Sequence, residues 1–514
     1  MLWLIAKKDF LLNLISARFI TGFLLCLVII PFTVVVNVDN YLSQVEIYKI
    51  EKEKADKEFN EIRVWSMLRP TVVKEPEVLS IFSNGISGNL GNKNEIKLRE
   101  YPLFPSGHII TRDNPLLNAF FSIDFSKVIA ILISLIALVF SYDAITRERE
   151  DGTMKQSFTG NVSRITFLFG KITGLLLTLL PILLFCYILA CLIVLLNPGI
   201  AISAADWVGI LLLFFTSIIY MLVFILIGML ISALTARSST SIILSLLCWI
   251  WFLFLLPNIA AYLSQSIVKT PLYDNIQNVF TEYDKDFRKD YDEADERVKN
   301  EFNVIYFNCG ICGFYGDGSK RFLGITKETA LAQRDLSIWE SSILQNYADK
   351  KWTIQKNYLD ELVRQEEWQQ RIAWLSPSGI FGQTTNALCR TDMQSFLKYL
   401  ENVRNYRETF IRYYSDKKLF ESLAYFIPES FENLPTEEEL RSLGQDHWDW
   451  LVEKGRMFET FPYLNTEDIP RFVSQSVTLE LAINGAMSRL TALFALMAAL
   501  LLATIATFMR YDVR

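Results

Sequence analysis

Histidine is almost missing from this 514-residue chain: His108 and His447 are the two that occur. They leave few options for a Ser-His-Asp arrangement, and neither HExxH nor GxSxG occurs. Cysteine is sparse too, at seven. Cys26, Cys186, Cys191 and Cys248 lie in apolar runs and read as small hydrophobes, whereas Cys389 and the Cys309-Gly-Ile-Cys312 pair lie in polar regions. With no second CxxC, a zinc or redox site lacks ligands, and a structural disulfide or two free thiols remain for Cys309 and Cys312. A phosphate loop is also lacking. Gly170-Lys171 has the right pair, but the loop needs Gly at 165 and Ser or Thr at 172, and both are Ile. The chain is therefore not expected to be an enzyme or to hydrolyse ATP, and no metal or cofactor of its own is expected. The acidic run DKDFRKDYDEADE lacks the glycine and ligand spacing of a calcium loop and reads as a solvated helix.

Charge is missing from whole stretches. A membrane span needs about 20 mostly apolar residues. Six stretches qualify: 19–38, 123–142, 172–196, 207–234, 239–262 and 490–509. The second is interrupted at its start by Asp124 and Lys127, which we place at the interface. Backbone groups cannot go unpaired in lipid, so all six are expected to be helices. Ahead of the first, residues 1–16 read as an interfacial helix. Leu2, Ile5, Phe10, Leu12 and Ile15 would face acyl chains, while Lys7, Lys8 and Asp9 stay wet. An ordinary start to the first span is the plainer alternative.

Lys and Arg in the short loops set the orientation. Arg147, Arg149, Lys155 and Arg164 sit between the second and third spans, Arg237 between the fourth and fifth, and Arg510 and Arg514 at the end. Loop 197–206 has neither Lys nor Arg. Both termini and residues 143–164 are thus expected in the cytoplasm, with 39–122 and 263–487 outside. Residues 263–487 hold 26 Lys and Arg against 36 Asp and Glu, and the remainder is net positive. The expected fold is an α-helical multi-pass membrane protein with six transmembrane helices, an N-terminal interfacial helix, a cytoplasmic coupling helix and two extracytoplasmic insertions. Its parts are 1–38 (interfacial helix and first span), 39–122 (first insertion), 123–262 (spans two to five, with coupling segment 143–164), 263–487 (large, mostly helical insertion) and 488–514 (sixth span and tail). Residues 44–67 read as a helical stalk prolonging the first span.

What the chain does have is a dense charge cluster between two apolar segments. Asp143, Arg147, Glu148, Arg149, Glu150 and Asp151 are followed by the breaker Gly152, then Thr153, an amphipathic stretch 154–158, a turn at 159–161, and Ser163-Arg164. A positive-inside loop would explain the arginines but not the alternating acids. A short helix tied at both ends by charge can seat in a groove on a soluble motor. Gly170 and Gly174 have the small-xxx-small spacing that lets helices approach closely.

YDAITREREDGTMKQSFTGNVSRITFLFGKITG resembles the coupling segment of ABC-2 type transporter permeases, whose usual form is YDxIxxExExGTLxxLLSxPVSRxxxxxGKxxG. The match holds at Tyr142, Asp143, Glu148, Glu150, Gly152, Thr153, Ser163, Arg164, Gly170, Lys171 and Gly174. It departs at Met154 and at Thr159-Gly160-Asn161, where the family has Ser and Pro. WLSPSGIFGQTTNALCRTDMQSFLKYLENVRNYR, from Trp374, is similar to the external helical region of a bacterial subgroup. The resemblance implies the permease subunit of an ATP-driven transporter, an exporter, in the bacterial cytoplasmic membrane. It implies as partners an ABC ATPase subunit dimer carrying the ATP and magnesium, a second permease, an extracytoplasmic partner and the lipid bilayer, with no nucleic acid. Asp143, Arg147, Glu148, Arg149, Glu150, Asp151, Gly152, Thr153, Ser163 and Arg164 would couple to the ATPase. The alternative is a mechanotransmission or signalling complex without substrate flux.

Overall fold

The computed structural model describes residues 1–86, 92–98, 100–102, 124–159, 162–269, 273–304, 326–443, 457, 460–474 and 477–510. Cys309, Cys312 and the turn residues Gly160 and Asn161 lie outside them. Among the described residues six helices are long and apolar enough to cross a membrane. The chain starts with α1 (Leu2–Leu14) and α2 (Ala17–Asn60), with Ser16 capping α2 by accepting from Phe19 N. α2 runs unbroken for 44 residues, about 66 Å, so one helix supplies the first span and the stalk as far as Asn60, short of the expected 67, where a separate 3-10 turn ends at Met67.

α3 (Phe125–Ser141) is the central span, with 13 of its 17 residues buried. Asp124 does not interrupt it. Its carboxylate accepts from Lys127 N at 2.8 Å and caps the helix. After the short helices α4 (Thr146–Glu150) and α5 (Thr153–Thr159) come α6 (Arg164–Leu195), α7 (Ala204–Leu234) and α8 (Ser238–Ile267). Asp206 completes a capping box with Ser203 at the start of α7. The first half of α8 buries only Ser241 and Ser245, small residues that let it sit close while its apolar face stays outward. Hydroxyls stitch the spans together: Tyr187 Oη and Ser217 Oγ share a 2.8 Å bond, Tyr220 Oη donates to the Ala130 carbonyl, and Trp249 Nε1 donates to Ser134 Oγ.

We call the side of residues 143–164 the proximal face and the side of the two long polar regions the distal face. On the distal face the helices are α9 (Tyr273–Glu301), α10 (Lys327–Ala373), α11 (Pro377–Leu388), α12 (Met393–Asp416) and α13 (Glu437–Ser442). α14 (Leu479–Arg510) is the sixth apolar helix. Strands β1 (Thr71–Val73) and β2 (Lys93–Glu95) pair antiparallel with Val72 opposite Asn94. The two insertions build one distal unit rather than two. Phe59, Ile62, Leu68 and Val72 share a core with Phe396, Leu400, Val403 and Phe410. Arg407, fully buried, donates to the Lys97 and Leu98 carbonyls, and Tyr414 Oη donates to Trp65 O.

The boundaries drawn at 263 and 487 need one correction. Residues 374–390 do not belong to the distal unit's core. α11 packs against α3, α7, α14 and the middle of α8. Ile380 and Phe381 are buried there, and Phe381 stacks on Tyr220 at 4.4 Å between centroids. The end of α10 and α11 thus form a hairpin that enters the helix bundle.

Candidate functional site

The proximal site is built where α3 ends. Arg18, the second residue of α2, donates to the Asp143 carboxylate at 2.9 Å and to Tyr142 Oη at 2.8 Å, with its guanidinium over the Tyr142 ring. The backbone N–H groups of Ile145 and Thr146 both donate to Ser232 Oγ of α7 at 3.1 Å. That hydroxyl takes up donors which the short helix α4 cannot satisfy itself. Ser241 Oγ donates to the Tyr142 carbonyl at 2.6 Å.

α4 then reads the turn between α7 and α8. Arg149 Nη1 donates to the Thr235 carbonyl at 2.7 Å, beyond the last turn of α7. Glu150 accepts from Ser238 N at 3.0 Å and from Ser238 Oγ at 2.6 Å. Arg237, the N-cap of α8, makes no side-chain cap of its own, so Glu150 caps that helix from outside. Gly152 sits at φ +71°, and nothing lies within 4 Å of where a Cβ would stand, so backbone conformation rather than crowding selects glycine there. Thr153 Oγ1 donates to the Glu148 carbonyl. Beyond it α5 anchors through buried Met154 and through Phe158, which packs on Phe167 and Phe508. Ser163 caps α6, and Arg164 Nη1 donates to the Met509 carbonyl of α14 at 2.6 Å.

Glu148 corrects the expectation of a partner-facing acid. Its side chain is 14% exposed and pairs with Lys171, itself 8% exposed. Lys171 also bonds Asp9, 13% exposed, at 3.1 Å. Asp9 therefore does not stay wet. Burial pushes its carboxyl up, against the opposing pull of Lys171. The helix that approaches Gly170 and Gly174 is α1, not another span. A Cβ at 170 would lie 2.9 Å from Ile5 Cβ, and one at 174 would lie 3.0 Å from Asp9 Cβ. Ile5 thus faces α6 and not acyl chains, while Trp3, Leu4 and Leu12 remain exposed. Arg147, Glu150, Asp151 and Gly152 are exposed, Arg147 pairing with Asp151 at 3.8 Å. Sequence reasoning misses Arg18, Ser232 and Ser238. For Asp9 there is a signal: it is the one acid in the first 38 residues.

A second polar site joins the distal unit to the spans. Arg390 pairs with Asp206 of α7 and, at 3.3 Å, with Glu77. Burial pushes the Glu77 carboxyl up, while Arg390 draws it back. Arg390 has φ +60°, an uncommon conformation for a side-chain-bearing residue at a helix end. Thr391 Oγ1 donates to Ser83 O, and its carbonyl accepts from Ile86 N. Asp392 caps α12 and pairs with Arg489 of α14 at 3.5 Å. Arg489 also donates to Gln370 Oε1 and to the Gln383 carbonyl. Among the described residues no group of acids, His and Cys is placed to hold a metal ion.

Six apolar helices, a charged proximal segment keyed to four of them and a distal unit define a multi-pass membrane protein of the permease class. The family profile of the ABC-2 family transporter proteins matches residues 3–513, nearly the whole chain, and the chain belongs to that family. ABC-2 permeases have no ATPase domain of their own and generally act with ATPase subunits. Among curated proteins no significant match was found.

Proposed function

We propose that the chain is the permease subunit of an ATP-driven exporter in a bacterial cytoplasmic membrane, with both termini and the proximal face in the cytoplasm. A separate ATPase dimer would seat against Arg147, Glu150, Asp151 and Gly152, and a second permease would cover outward apolar faces such as that of α8. The observation that carries this reading is the anchoring of one short segment. Residues 142–150 bond to α2, α6, α7 and α8, so a push on α4 is delivered to most of the bundle. The exposed strip beside it is free to meet a partner. Asp143, Glu148, Arg149 and Thr153 then transmit from within rather than touch the ATPase, while Ser163 and Arg164 fasten the start of α6 at the surface. The second reading, mechanotransmission without flux, is favoured by α10, which runs 47 residues from the distal unit to the bundle.

The test is co-purification with the ATPase and stimulated ATP turnover in lipid. Arg147→Glu with Asp151→Lys should insert normally and lose ATPase association, because rim charge reversals weaken docking more than folding. Undiminished association and turnover would remove the segment from the partner interface. Flux of any cargo in vesicles holding the complex separates exporter from force transmitter.

A further inference from the structure

Midway along α8 the helix changes register. Across Trp251–Leu255 it makes a π turn, with Leu256 N–H bonded to the Trp251 carbonyl five residues back. The next donor in that register would be residue 257, which is Pro257 and has no N–H. The Phe252 carbonyl is thereby released inside a spanning helix, where an unpaired backbone group is costly. It is taken by two hydroxyls. Ser378 Oγ donates to it at 2.6 Å, and Ser376 Oγ donates to the same oxygen. Both serines sit at the tip of the α10–α11 hairpin. Phe252 lies well inside α8, about 21 Å along the axis from its first residue, Ser238, so the tip reaches the middle of the span.

In the α register the carbonyl left without a donor would be that of Leu253, one residue on and about 100° around the helix. Hydroxyls placed for Phe252 cannot serve it. The seated hairpin therefore selects the π turn, and without the hairpin the commoner α register is favoured. The halves of α8 on either side would then rotate relative to one another by about one residue's step, ~100°. The distal half now buries Leu256, Ala260 and Ser264 and packs along α10. Rotation would carry that stripe off α10.

We propose that Ser376, Ser378 and Pro257 form a two-state latch between the distal unit and the fifth span. The seated hairpin holds α8 in the π register, and its withdrawal rotates the distal half of the helix. This rests on the reading that a partner ATPase drives the chain. π turns interrupting α-helices are frequent at functional sites, and here the interruption, the missing donor and the two replacement donors meet at one carbonyl.

The test uses the full chain with Cys186 as its one retained native thiol and Ser264→Cys as reporter. Ser264 is buried on the α10 side of its helix and nearly isosteric with Cys, and Cys186 is buried on the α2-facing side of α6, beside Cys26. In the chain alone, Ser376→Ala with Ser378→Ala should raise maleimide labelling at 264 about tenfold, the scale of losing both hydroxyl donors to one buried carbonyl. Pro257→Ala should do the same while restoring an N–H, so it needs no loss of folding. Ser376→Thr keeps the hydroxyl and should stay protected. Cys186 should remain unreactive throughout, which separates rotation from unfolding. With the ATPase bound, ATP should raise labelling of the otherwise unaltered reporter chain. Unchanged labelling in both Ala variants, or under ATP while turnover proceeds, would overturn the latch. Failure of the chain to engage any ATPase would overturn the function proposed above, and the chain-alone comparison would still decide the latch.

Discussion

Replacing Lys171 with Met leaves two carboxylates, Asp9 and Glu148, facing each other with no cation between them. Met keeps the volume and the apolar stem but removes the ammonium, which lies 5.4 Å from the centre of the Phe167 ring, so packing changes little and charge changes fully. Breaking a buried pair from one side costs about 3–5 kcal/mol, against about 0–1 kcal/mol for an exposed pair such as Arg147–Asp151. The membrane helices should still insert, since their apolar runs are untouched. What should loosen is the docking of α1 and α4 on α6. Thermal unfolding of the purified chain in detergent reads the loss, and protease nicking before residue 18 reads the docking. Two further comparisons make the reasoning refutable. Lys171→Met combined with Asp9→Asn and Glu148→Gln should recover most of the loss, because removing a whole buried ion set can be nearly neutral where removing one member is not. Acid should help the single variant. Asp9 has its folded-state pKa raised by burial. A raised carboxyl contributes most below its unfolded value and loses that contribution as pH rises through the folded one. The single variant should therefore weaken as pH climbs from about 4 toward neutrality. If Lys171→Met unfolds like Arg147→Ala, or if the triple variant is no better than the single, the cluster is not a charge-balanced joint.

Gly170→Val should place its Cβ branch against Ile5, detach α1 and expose an Ala6→Cys reporter to labelling while the spans still insert; a protected Ala6→Cys would refute the close approach. Arg489→Met should leave Asp392 unpaired and cost about 3–5 kcal/mol, with Arg489→Met plus Asp392→Asn recovering part of it in the same unfolding assay. Phe381→Ala removes the ring stacked on Tyr220 and should cost about 3–5 kcal/mol, lowering the melting temperature more than Phe32→Ala, whose ring is exposed.

The sequence shows the spans clearly because each carries its own signal, an uncharged run long enough to cross a bilayer. It shows contacts between segments poorly. Asp124 reads as a flaw at the start of a span because a lone charge and a helix cap are identical in one dimension; the cap depends on the Lys127 N–H lying within reach. Glu148 reads as outward-facing because a five-residue helix has too little periodicity to mark a buried side. Lys171, 23 residues away, decides the matter. The hairpin is hidden for a different reason. α11 has 12 residues, too few for a span, and it sits inside a long polar stretch that composition assigns to the distal side.

The charged contacts that join segments gather at the two ends of the bundle, and this constrains how it can move. At the proximal end Arg18, Ser232, Lys171 and Glu150 tie residues 142–150 to four long helices. At the distal end Arg390 and Arg489 tie the start of α12 to α7 and α14. Buried pairs of this kind are costly to open one side at a time, so each end is better described as a block than as a hinge. Give must come from places where the backbone is already irregular. Gly152 is one, because its left-handed turn joins α4 to α5 in open space. The π turn of α8 is another, and it lies between the blocks. α7 is also held at both ends, by Ser232 and Asp206, but it runs as one regular helix and can only carry force as a rod. α8 is held by Glu150 at its first residue and by the hairpin serines at its middle. A push arriving at α4 and a movement of the distal unit therefore meet at the fifth span, where the backbone has a second register to take up.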